Sequence, residues 1–169
     1  MRQVRLVLVL ITLLVLQTSL VADLTVFTVR GDLLLLLAVA AGIADGPDRG
    51  AMVGFLAGLG YDLLVSQTPA GLYALAYCLT GYAVGMVQGS VLRASWWIPV
   101  ASGFGASAFG VVLFAMLGTV LGQDGMVNER LTRIALIVAV INALLILPML
   151  RVMRWTLPLD RRAARLSTL

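Results

Sequence analysis

The chain contains no lysine and no histidine, one cysteine, and only 12% charged residues among its 169. Each shortage removes a class of function. Without lysine there is no Gly-rich phosphate loop, whose lysine grips the phosphates. Without histidine, and with Cys78 alone, zinc and iron sites and histidine-based acid–base catalysis are excluded. A single cysteine builds no disulfide framework, and Cys78, inside an apolar run, reads as a small packing residue. Acids are scarce too, eight in all, and no two of them pair inside an apolar run. Ser66 and Ser107 have no base close by in sequence. The chain is therefore expected not to be an enzyme, and to use neither cofactor nor metal.

What fills the sequence instead is hydrocarbon. Hydrophobic residues make up 61% of the chain, and the mean hydropathy is +1.03. A soluble domain carries roughly 25% charged residues, and one core of this size could not hide so much apolar surface. The side chains must face lipid as well as each other. In lipid every backbone polar group needs an internal partner, so spanning structures are helices or closed barrels. Barrel strands alternate in polarity, whereas these apolar runs are unbroken. An all-α bundle of about six transmembrane helices follows.

The runs are Val4–Ala22, Leu33–Ala44, Ala51–Val65, Leu72–Leu92, Trp96–Leu121 and Leu131–Met153. The first exceeds the 7–15 residue apolar region of a signal peptide and lacks a small-x-small cleavage site, so it reads as a retained helix. The second falls short of the ~20 residues a crossing needs; it either recruits Leu24–Val29 or lies buried as a short helix. Asp45-Gly46-Pro47-Asp48-Arg49-Gly50 reads as a turn, with Asp48 capping the third helix and Gly50 permitting close passage. Arg49, beside Asp45 and Asp48, could also meet a cytoplasmic partner. Pro148 should kink the last helix. Residues 1–155 form the membrane domain, and 156–169 a basic tail.

All twelve basic residues are arginine, giving a net charge of +4. They sit at segment ends rather than along one face, which argues against nucleic acid and for membrane orientation. Arg2, Arg5, Arg49, Arg93, Arg151, Arg154, Arg161, Arg162 and Arg165 fall on the side of the termini. Only Arg30, Arg130 and Arg133 fall on the other, near Asp32, Asp124 and Glu129. Positive residues stay inside, so both termini are expected in the cytoplasm. Trp96, Trp97 and Trp155 then lie at inner helix ends, where amphipathic rings favour the interface. Arg161, Arg162 and Arg165 are placed to meet anionic lipid headgroups, or simply to be solvated.

Small residues recur at helical spacing: Gly50, Gly54 and Gly58, then Gly81, Gly85 and Gly89, then Gly118 and Gly122. Steps of four keep them on one stripe, and small stripes let helices in lipid approach closely. They serve either packing within the chain or docking of another helix, from a partner or a second copy. Phe55 would anchor such a partner. Asp62 continues the first stripe near the outer end of its helix, as a functional carboxylate or as the cap of a neighbouring helix. Gln17 and Asn142, both mid-helix, should make interhelical hydrogen bonds.

The order of these motifs resembles the bacterial rod shape-determining protein MreD family. A first helix closes on Leu16-Gln17-Thr18, Gly31-Asp32-Leu33 opens the second, and Gly50-x-x-x-Gly54-Phe55-x-x-Gly58-Leu59-x-x-Asp62 is the most specific stretch. Gly71-Leu72-Tyr73 and Gly81-Tyr82 follow. The resemblance implies a non-enzymatic inner-membrane subunit of the cell-wall elongation machinery. Its partners would be MreC and, around it, the MreB filament, a SEDS glycosyltransferase and a class B transpeptidase. It also implies a fold similar to the substrate-binding subunits of energy-coupling-factor vitamin transporters. That similarity supplies the alternative, a small-molecule-binding subunit with an outward pocket lined by residues such as Gln17, Asp62 and Tyr73. Such a subunit grips its partner module through Ala-rich faces, for which Ala38-Val39-Ala40-Ala41 is the one candidate. On the docking reading, Gly54→Leu or Gly58→Leu should abolish the complex without blocking insertion.

Overall fold

Leucine follows leucine from 33 to 37, and the helix they open has no outward face. In a computed structural model this helix, α2 (Leu33–Asp45), has every residue from Leu34 to Ile43 buried. The structure describes residues 2–23, 32–65, 68–91, 97–123 and 129–156. Arg30, Gly31, Ser66, Arg93, Trp96, Asp124, Arg161, Arg162 and Arg165 lie outside the described residues, and so do the side chains of Arg2 and Glu129 and the surroundings of Gly89. Around α2 stand α1 (Arg2–Asp23), α3 (Pro47–Asp62), α4 (Leu72–Val91), α5 (Ile98–Val120) and α6 (Glu129–Thr156). The described residues are all helix and connection, with no strand.

At a rise of 1.5 Å per residue α2 is about 20 Å long, well short of the ~30 Å hydrocarbon of a bilayer. A helix that is apolar on every side is one buried on every side. Of the two options the sequence left for this run, the buried short helix is the one found. Burial also removes the Ala38–Ala41 segment from any partner, since all four residues are fully covered.

The other five helices each bury one face and expose an apolar one. Val7 and Ile11 of α1, Phe55 and Leu59 of α3, Met86 of α4, Met116 of α5 and Leu144 of α6 are all exposed. Among the described residues two helices, 98–120 and 130–156, are long and apolar enough to cross a membrane. Arg5 lies over the Trp155 ring, 4.9 Å from its centroid, and so joins the start of α1 to the end of α6.

The expected turn at 45–50 is shorter than its sequence suggests. Gly46 alone makes it, at a φ of +90°. Pro47 opens α3, where its missing N–H costs nothing and its fixed φ suits the first helical position. Asp48 and Gly50 are thereby residues of the helix, not of a loop. Asp48 favours the N-terminal dipole from the first turn and does not act as its cap. Arg49 pairs with Asp45 at 3.5 Å, back across the turn. Gly122 also differs from expectation: at φ +84° it ends α5. Gly122 N–H donates to Thr119 O at 3.1 Å, and Gln123 N–H to Gly118 O at 2.9 Å. That is a Schellman stop, so Gly122 belongs to no packing stripe, whereas Gly118 is buried within α5. Pro148 lies inside α6, as its position requires.

Candidate functional site

The glycine stripes meet each other. A Cβ on Gly50 would collide with the carbonyl of Gly81, and one on Gly81 with the carbonyl of Gly50. Gly54 lies against the Tyr77 carbonyl, Gly58 against Tyr73 and Ala74, and Gly85 against Gly46 and Pro47. Each step of four along α3 is thus matched by a step of four back along α4. Gly42 of α2 also meets the Gly81 carbonyl, so three backbones converge there. The stripe is closed within the chain, and no groove remains on it for a partner helix. Leucine at Gly54 or Gly58 would therefore break the seam itself before it could report on docking. Phe55, one residue aside, points elsewhere and is 46% exposed.

Asp62 explains why the spacing of four runs past the glycines. One turn beyond Gly58 the seam reaches the first residues of α4, whose N–H groups have no partner in their own helix. Asp62 accepts from Tyr73 N at 3.2 Å and from Ala74 N at 3.0 Å. It is the cap of a neighbouring helix.

A second polar system closes the same end of the bundle. Asp32 caps α2, its Oδ1 accepting from Leu35 N at 2.9 Å. Its Oδ2 accepts from the Tyr77 hydroxyl at 2.6 Å. Gln17 is buried and accepts from Leu33 N at 3.1 Å through Oε1, which ties α1 to the start of α2. Asn142, fully buried in α6, donates to Ser107 Oγ of α5 at 3.0 Å and to the Asp32 carbonyl at 3.2 Å. Both mid-helix amides therefore bond between helices. The Asn142 carbonyl Oδ1 is buried without a hydrogen-bond partner among the described residues.

These groups border a cavity of about 310 Å³ to which all six helices contribute. Gln17, Asp32, Tyr61, Tyr73 and Tyr77 line it, with Phe114 and aliphatic residues of α5 and α6 opposite them in sequence. Tyr73 sits among three rings: Tyr61 at 4.7 Å, Phe114 at 4.4 Å and Tyr77 at 5.6 Å between centroids. Of the three residues expected in a pocket, Gln17 and Tyr73 line this cavity. Asp62 is not in the lining, and Asp32 is the carboxylate found there. A second, almost wholly apolar cleft of about 400 Å³ separates α1 from α6 beside Pro148. No three His, Cys, Asp or Glu side chains gather to hold a metal among the described residues.

Asp32 and Tyr77 were the residues missed. Asp32 stands directly before an apolar run, the position of an N-cap, but its neighbours Arg30 and Gly31 made it look like a loop charge. Tyr73 and Tyr77 are four apart on one helix, which puts both on the same face. No family model matches the chain, nor does any curated protein or solved structure, so the cavity and the seam must be understood from their own chemistry.

Proposed function

We propose that this chain is a non-enzymatic, multi-pass subunit of the bacterial inner membrane, in the rod complex that elongates the cell wall, where it docks the membrane helix of MreC. Both termini lie in the cytoplasm in this reading, following the arginine asymmetry. Five helices with exposed apolar faces support a body immersed in lipid. The observation that carries the docking reading is the division of labour on α3. Its glycine face is spent on α4, while Met52, Phe55, Leu56 and Leu59 form an exposed ridge on the other side. Docking thus moves from the glycines to this ridge. Apolar anchors at helical spacing, with Phe55 the one aromatic among them, are what a single partner helix would grip.

The test is co-purification with MreC. Phe55→Ala with Leu59→Ala should lower MreC recovery about tenfold or more, the size of a hot-spot loss. The variant's own thermal stability should stay near wild type, because both residues are already exposed, at 46% and 38%. Undiminished recovery of MreC would remove α3 as the docking face.

A second reading is favoured by the cavity. A small-molecule-binding subunit needs a polar pocket at one end of the bundle, and Gln17, Asp32 and Tyr73 line such a pocket. In the proposed orientation it opens away from the cytoplasm.

A further inference from the structure

We infer that the cavity at the Asp32 end of the bundle receives a small organic ammonium ion, a primary amine or a quaternary ammonium. The assignment rests on the second reading above, that the cavity takes a ligand at all, and adds its chemical class. About 310 Å³ is at the small end of ligand pockets, which run from ~300 to 1,000 Å³. It suits a metabolite and excludes a peptide.

The lining sets the sign of charge. Among the described lining residues Asp32 is the one acid, and none is an arginine. Arg130 and Arg133 of α6 are exposed and stay out of the lining. Leu35 N–H, the Tyr77 hydroxyl and the backbone N–H of Leu34 meet the Asp32 carboxyl, and a carboxylate has room for about four donors. The remaining walls include Tyr61, Tyr73, Tyr77 and Phe114. Aromatic faces carry the negative end of the ring quadrupole and attract ammonium groups. A carboxyl and four rings around one small space favour a cation. Among the described lining residues an anion would face Asp32 with no basic partner.

The experiment uses the full chain in lipid nanodiscs, titrated with choline, n-propylammonium, 3,3-dimethyl-1-butanol (choline's neutral isostere) and 3,3-dimethylbutyrate. Binding is read by calorimetry and by the rise in Tm. An ammonium probe should bind and raise Tm, with the neutral and anionic probes at least about tenfold weaker. Asp32→Asn keeps an acceptor for Leu35 N–H and should erase that preference. Phe114→Leu keeps apolar bulk but removes a ring face; it should weaken ammonium binding several-fold and spare the neutral probe. It answers the question even if Asp32→Asn does not fold. Equal binding of choline and its neutral isostere would overturn the ammonium assignment and leave the pocket reading standing. Ammonium binding unchanged in both variants would overturn the site. No binding by any of the four probes would overturn both.

Discussion

Gly81→Ala should destabilise this protein by about 2–3 kcal/mol, the cost of forcing an extra group into a close-packed interior. Alanine is the better helix former by ~1 kcal/mol, so propensity alone predicts a gain. The new Cβ would meet the Gly50 carbonyl first, then the Gly50 carbonyl carbon and the Ala38 carbonyl. All three are backbone atoms, which no rotamer change can move aside. Either α3 and α4 separate along the whole seam or α2 shifts beneath them. Gly105 is the control, because a Cβ there meets nothing within 4 Å. Gly105→Ala should be neutral or stabilising by up to ~1 kcal/mol. SDS-induced unfolding in mixed micelles, followed by circular dichroism, compares the two. Equal midpoints would mean that the seam is looser than described.

Asp32→Ala should be nearly as damaging, at about 2–4 kcal/mol. It removes the side-chain cap of α2, worth ~0.5–2 kcal/mol. It also strands the Tyr77 hydroxyl inside the bundle, at ~1–3 kcal/mol. The two parts separate in a cycle with Tyr77→Phe. If the 2.6 Å bond is as described, the double variant should be less damaged than the sum of the singles by about 1–2 kcal/mol, since directly bonded groups are not additive. Strict additivity would show that the two do not act together. Asp32→Asn should keep most of the capping contribution and lose only part of the bond.

How legible the fold was depends on what each residue had to compete with. Long apolar runs located α1, α4, α5 and α6 to within a few residues, because nothing but a helix hides that many backbone groups from lipid. The run at 33–44 was ambiguous, since a short apolar segment has the same composition whether it half-crosses a membrane or is wrapped by other helices. Only the neighbours decide that, and Gly42, Gly50 and Gly81 do so by allowing three backbones to converge. The glycine stripes were visible as stripes, but their partners were not. Spacing says that something comes near and not whether it is α4 or another chain. Gly46 and Gly122 show the same limit, as one glycine letter encodes a turn, a helix stop or a contact. At the site, Gln17 and Asn142 were read correctly as interhelical donors and acceptors. Ser107 could not be paired with Asn142, 35 residues away, before the helices were set side by side.

The central claim is that α2 is a strut enclosed by five helices whose outer faces lie in lipid. Carbene labelling of the native protein in liposomes tests it without any substitution: a diazirine reagent dissolved in the bilayer is photolysed, and adducts are located by mass spectrometry. Adducts should fall on outward positions of every surrounding helix, such as Ile11, Leu59, Met86, Met116 and Leu144, with none between Leu34 and Ile43. Labelling of 34–43 as dense as that of α5, or labelling confined to α5 and α6, would contradict it.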